Sequence, residues 1–329
     1  MVHANTTYTK FKGVTDYGKT QLMTELENNL KYFLDWSFLS IGAWTNVLIQ
    51  GTDTADGYGG SPETLRWVDD PSYADGQVWQ GFRKDWVWET GVDFSSGGTD
   101  YNPTDIDTSG VRIDGTFQTT GYHINYPLGR VVFNDVVATG SVVDLLYSYR
   151  NVQVLVADSA PWWREIQLRS LRSDDTHFTQ DPRTGDWSIG GHHRIQLPAV
   201  IVETVPRGKS EGYELGNSAL VVDQDVIFHV LADNREDRNK LVSILEVQND
   251  LNIWLFDSDT VAASGVFPLD FRGERTGAYR YPDLVATSNP YRWKTCRLHD
   301  IVVSEVDAWH PRLYEGTVRA TCEVIFGTI

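Results

Sequence analysis

The run Ile124–Asp158, INYPLGRVVFNDVVATGSVVDLLYSYRNVQVLVAD, constrains the fold more than any other part of the chain. It reads as strand, turn, strand, loop and two further strands. Pro127-Leu128-Gly129 supplies the turn, because proline fixes φ and glycine tolerates φ > 0. Val131, Val132 and Phe133 open a β-branched and aromatic run of strand type. None of these side chains is a good acid, base or nucleophile, so the segment builds sheet and not chemistry.

The chain around it has 329 residues, enough for one large or two ordinary domains. With 41% hydrophobic and 12% aromatic residues it can bury a real core, which excludes disorder for the bulk. No charged and then apolar leader opens the sequence. No apolar run approaches the ~20 residues that cross a bilayer. A soluble protein with no membrane partner is therefore expected. The net charge of −17 argues against a protein that grips nucleic-acid phosphates. It is compatible with an acidic channel wall along which DNA slides.

The organisation expected is α+β and β-dominated. An extended polar arm covers 1–15. A long N-terminal helix and an antiparallel β domain cover 16–190, and an α+β domain with a strand–helix–strand unit covers 191–329. The helix is expected over 16–39, capped by Asp16, with Leu22, Leu26, Leu30 and either Phe33 or Leu34 on one face. Trp44–Ile49 reads as a strand, and 51–62 and 92–110 read as long loops. If Trp86-Val87-Trp88 is extended, both indoles share a face. Val111, Ile113, Gly115 and Phe117 alternate with polar residues as one half-buried strand. Asp233 with Glu236 suggests a capping box opening a helix to about Asn249. Leu251–Phe256 follows as a strand, and Trp293–Val303 and Gly316–Phe326 read as a late pair. Cys296 and Cys322 sit in those strands. They read as buried free thiols, with a cross-strand disulfide as the other option.

Motifs that carry chemistry are few. Gly13-Val14-Thr15-Asp16-Tyr17-Gly18-Lys19-Thr20 fits the phosphate-cradling G-x-x-x-x-G-K-[ST] pattern, which would assign a nucleotide to Lys19 and Thr20. The short polar Tyr8–Lys12 is a poor substitute for the buried strand such a loop needs, so a plain helix entry is the preferred reading. Asp105-Ile106-Asp107-Thr108-Ser109-Gly110 begins like a calcium loop, but Thr116 stands where the bidentate Glu belongs. A turn in which Asp and Ser bond their own backbone is preferred. His192-His193 lacks further ligands at a suitable spacing. The many Trp residues and carboxylates admit a carbohydrate-binding or glycan-cleaving reading. They suit cores and subunit interfaces better. No catalytic residue, metal site or cofactor is expected.

Several phrases resemble one family. Tyr126-Pro127-Leu128-Gly129-Arg130-Val131-Val132-Phe133, followed by Tyr147-Ser148-Tyr149-Arg150-Asn151-Val152-Gln153-Val154, resembles virion structural proteins of tailed phages. The likeness continues in His193–Pro198, Asp225–Val230 and Val318–Ile325, and so spans roughly residues 65–326. It implies a non-enzymatic structural subunit. The station it favours is the head–tail neck, as a tail terminator or connector (a head-tail joining protein). There the chain would form a six- or twelve-fold homo-oligomeric ring around the DNA path. Other neck and tail proteins would be its partners, and DNA would pass without specific binding. The location implied is the virion, assembled in the host cytoplasm. A baseplate or tail-tip subunit, or a carbohydrate-binding β protein, is the alternative. The expected contacts lie on the arm (Val2, Tyr8, Phe11), the loops (Tyr58, Tyr101), Arg130, and the Trp162-Trp163 pair.

Overall fold

The computed structural model describes residues 16–47, 61–92, 94–96, 99–160, 162–163, 178–180, 187–189, 193–212, 220–277, 279–310 and 313–326. Two large sheets organise them. The first has seven short strands: β1 (Thr64–Trp67), β2 (Val78–Gln80), β3 (Val111–Ile113), β4 (Thr116–Gln118), β5 (Tyr122–Asn125), β6 (Arg130–Phe133) and β7 (Val143–Leu145). Their spatial order is β4-β3-β7-β1-β2-β6-β5, and every pairing is antiparallel.

Local turn chemistry explains this sheet. Gly129, at φ 62°, closes the β5–β6 hairpin behind Pro127, where the sequence places it. The stretch expected as one strand over 111–117 is instead the β3–β4 hairpin. Asp114 and Gly115 both take positive φ, 50° and 79°. This is the Asp-Gly turn that a tight hairpin prefers, and it outweighs the alternation.

The second sheet has six strands: β8 (Gln153–Val156), β9 (Ala199–Gly212), β10 (Leu220–Ala232), β11 (Leu251–Phe256), β12 (Arg292–His310) and β13 (Leu313–Phe326). The order is β8-β9-β10-β13-β12-β11. Only β8 runs parallel to its neighbour, β9. Among the described residues the sheets are accompanied by the helices α1 (Leu22–Ser40), α2 (Ile106–Ser109), α3 (Arg235–Glu246), α4 (Ser258–Ala263) and α5 (Tyr281–Leu284). Among the described residues no helix is long and apolar enough to cross a membrane.

Helices α1 and α3 cover one face of the second sheet. Leu26, Leu30, Leu34 and Phe38 of α1 and Leu241 and Leu245 of α3 pack on Val200, Val202, Val226, Phe228, Val318, Ala320 and Val324. Each such side chain stabilises the fold by roughly 1.5–3 kcal/mol. Cys296 and Cys322 lie in this core as buried free thiols. Helix α1 and strand β8 both belong to this sheet, although they precede residue 191 in the chain. The strand–helix–strand unit is β10–α3–β11, with β13 and β12 lying between its two strands.

Both long helices start later than the sequence suggests. Helix α1 begins at Leu22, after Gln21. Asp16 instead accepts from Gly18 N (3.0 Å), a local turn that competes with helix. Asn234, not Asp233, caps α3, by accepting from Asp237 N at 2.8 Å. Trp86 and Trp88 share the core of the first sheet while Val87 points into another cluster, the alternation expected for extended backbone.

Candidate interface

The exposed surface is set by which sheet faces stay uncovered. Along β10, Val226, Phe228 and Val230 face α1 and α3. The residues between them, Asp225, Ile227, His229 and Leu231, therefore face the other way. Near Ala199 that second face is covered by the chain itself. Trp162 and Trp163, 5% and 2% exposed, pack there with Ala157, Ala160, Ile201, Leu231 and Leu313. The indole ring of Trp163 lies 4.3 Å from that of His229, whose ring nitrogens meet Glu203 and Glu315, both at 3.2 Å. Beyond this cluster the face is polar. Arg319 pairs with Asp225, and Arg207 approaches the same carboxylate at 3.7 Å.

The sheet has two flanks. On one, β8 pairs with β9 only from Ala199 to Val202, while β9 runs on to Gly212. Pro206, Arg207, Lys209 and a register shift between Thr204 and Gly208 blunt this edge. On the other flank the last pair between β11 and β12 is Leu251 with Leu298. From Val302 to His310, β12 pairs with β13 alone among the described strands. Val302 and Val303 on this edge are 58% and 39% exposed.

The contact residues expected from sequence fall in different places. Val2, Tyr8, Phe11 and Tyr58 lie outside the described residues. Tyr101 pairs with Phe94 in a small hairpin, and its side chain is likewise outside them. Arg130 turns inward, with Nη1 on Asp70 and Nε on Gln80, both at 3.1 Å. The Trp162-Trp163 pair is buried within the chain, so neither indole presents a surface.

The motifs resolve as follows. Thr20 donates its N–H and hydroxyl to Asp259 at 2.8 and 2.7 Å. A carboxylate thus occupies the helix entry where the nucleotide reading needs a phosphate. Asp105 accepts from Asp107 N and Thr108 Oγ1, at 3.2 and 3.0 Å, as the N-cap of α2. Asp107 itself pairs with Arg275 at 2.9 Å. His192 is outside the described residues, and His193 lies in the short strand His193–Ile195. Six Trp side chains are core: Trp44, Trp79, Trp86, Trp88, Trp162 and Trp163 are buried. Trp254 is exposed, but Arg292 lies over its ring at 3.0 Å.

Three charged clusters were not legible from the sequence. Arg150 is buried and donates to Glu89 at 2.6 Å and to Trp86 O at 2.8 Å. Asp85 stands at 3.5 Å and Asp35 of α1 at 3.7 Å. Burial pushes Asp35 up to about 7 and raises Asp85 and Glu89, against the pull of Arg150. This cluster joins α1 to the loops of the first sheet. Glu25, Asp257 and Asp259 gather where α1 meets α4, with carboxylate oxygens within 4.8 Å. Their oxygens are supplied by protein donors: Ser258 for Glu25, Thr260 N for Asp257 and Thr20 for Asp259. Asp223, His299 and Glu323 meet on the polar face of the second sheet. No protein-family model matches the chain, and no curated protein matches it.

Proposed function

We propose that the chain is a non-enzymatic structural subunit of a tailed-phage virion, a ring-forming protein of the head–tail neck through which DNA passes. The observation that carries this reading is the edge of β12 from Val302 to His310, which among the described residues has no second partner strand. Such an edge, with exposed Val302 and Val303, is a template for another strand or chain. The opposite flank of the sheet is blunted, so the neighbour meets the β12 edge with a different surface. Such heterologous contacts close rings. The net charge of −17 suits a wall that does not hold DNA.

The test is solution mass by light scattering and negative-stain imaging of the same sample. Expected are rings whose hole admits duplex DNA, and loss of those rings in the Val302→Lys/Val303→Lys variant with an unchanged circular-dichroism spectrum. A wild-type chain that stays monomeric at high concentration, in the presence of purified neck and tail proteins as well, would remove the reading. Rings too narrow for duplex DNA would move the assignment to the baseplate or tail tip.

A further inference from the structure

On the open face of the second sheet, Asp223 of β10 stands directly opposite Glu323 of β13. Glu323 in turn stands opposite Arg297 of β12, and His299 lies two residues further along that strand, opposite Thr321. The three side chains therefore share one face. One ring nitrogen of His299 and one carboxylate oxygen each from Asp223 and Glu323 lie within 4.8 Å of one another.

Two features mark this cluster as more than surface charge. Asp223 Oδ1 and His299 Nε2 are shielded from solvent and, among the described residues, have no hydrogen-bond partner. Unsatisfied buried polar atoms are rare and costly in native proteins. The other ring nitrogen of His299, Nδ1, lies 3.1 Å from the carboxylate of Asp300. A carboxylate beside Nδ1 favours the tautomer that keeps the proton there and leaves the Nε2 lone pair for a metal ion. Asp300 sits at φ 52°, where the β12–β13 register shifts between His299 and Val302, so the distortion of the strand is what brings its carboxylate behind the ring. Arg297, the nearby cation, is engaged by Asp250 at 2.6 Å.

We propose that Asp223, His299 and Glu323 bind one divalent first-row transition-metal ion of the zinc class, with Asp300 as the positioning residue for His299. An imidazole with two carboxylates suits such ions, whereas calcium and magnesium take oxygen donors. Donors around a four-coordinate ion at ~2.1 Å stand ~3.4 Å apart, so small side-chain adjustments close the cluster. Three protein ligands leave a position for water. The ion would tie β10 to the consecutive strands β12 and β13, which lie far from it in sequence.

The test uses the tag-free full chain, stripped with EDTA and dialysed. Cobalt(II) is titrated while its visible absorption is followed, and zinc(II) binding is measured by calorimetry. Expected are one equivalent bound, no competition from calcium or magnesium, and binding weakened about 10-fold or more in Asp300→Asn. His299→Ala and the near-isosteric Glu323→Gln should lose that equivalent while keeping the wild-type circular-dichroism spectrum. Absence of stoichiometric binding in the wild type overturns the proposal. So does binding that survives both His299→Ala and Glu323→Gln, because the ion then sits elsewhere in the chain.

Discussion

The acidic junction between α1 and α4 gives a sharp test of the energetics. Glu25 is 3% exposed and accepts from Ser258 N and from Ser258 Oγ, the latter at 2.7 Å. Burial pushes its carboxyl from 4.5 up to about 7; Asp257 and Asp259 push the same way, against the Ser258 hydrogen bonds. A group with a raised folded-state value contributes stability that is complete below its unfolded value and is lost as pH rises through the folded one. For Glu25 that window runs from 4.5 to about 7. Integrated over both states, Glu25 alone removes about 2.5 kcal/mol of stability between about pH 5 and about pH 8. Glu25→Gln keeps the shape, can still accept from Ser258, and cannot ionise. Urea unfolding followed by Trp fluorescence, at both pH values and in both proteins, isolates this contribution. Asp35, Asp85 and Glu89 steepen the pH dependence in the same direction, but they do so in both proteins and cancel in the comparison. The variant should gain about 2–3 kcal/mol relative to wild type as the pH is raised. Parallel pH profiles for the two proteins would show that Glu25 is not held protonated, and the reasoning would fail.

Other consequences are equally concrete. Arg150→Met leaves Asp35, Asp85 and Glu89 buried without their cation. It should cost about 3–5 kcal/mol near neutral pH and less in acid; an unchanged Tm would refute the arrangement. Gly129→Ala places a Cβ 2.7 Å from Arg83 O and Lys84 Cα at φ 62° and should cost roughly 1–3 kcal/mol. Gly140→Ala, with nothing within 4 Å, is the control and should leave the urea midpoint in place. Val302→Lys/Val303→Lys should abolish assembly on sizing columns without moving Tm by more than about 1 kcal/mol in equivalent stability, because both side chains are exposed.

Where a structural decision was local, the sequence carried it. The Pro127–Gly129 turn, α3, Leu251–Phe256 and the late strand pair all stand close to where their residue patterns put them. The departures are local competitions decided the other way. Asp114-Gly115 is a stronger hairpin signal than the alternation around it is a strand signal. Thr20 is held by Asp259 across 239 residues, and Gln21 after it is extended, so the helix begins only at Leu22. That partner could not be read from the neighbourhood of Thr20. The same holds for α1 as a whole. Its stripe of Leu26, Leu30, Leu34 and Phe38 shows that it covers something apolar, but not which sheet. Partners distant in sequence make that choice, among them Thr204 of β9 bonded to Glu27 and Phe256 of β11 bonded to Asn29.

The charged sites were hidden for a stricter reason. Arg150 is served by Asp35 from α1 and by Asp85 and Glu89 from the stretch after β2, and no spacing rule links these segments to Arg150. Asp223, His299 and Glu323 lie in three strands whose alignment is fixed by pairing. Alternation alone shows that Asp223 and Asp225 face away from Val226 and Phe228. It does not show which residues stand opposite. The apolar face makes that choice: a one-residue slip of β13 would turn Ala320, Cys322 and Val324 out of the core and expose them to water. Burial of those side chains therefore sets the register, and the register places Glu323 against Asp223. The same unbroken pairing carries on to His299 opposite Thr321, which sets its ring alongside Glu323. The polar site is thus specified by the hydrophobic residues on the other side of the same strands, so no motif search over its own residues could have found it.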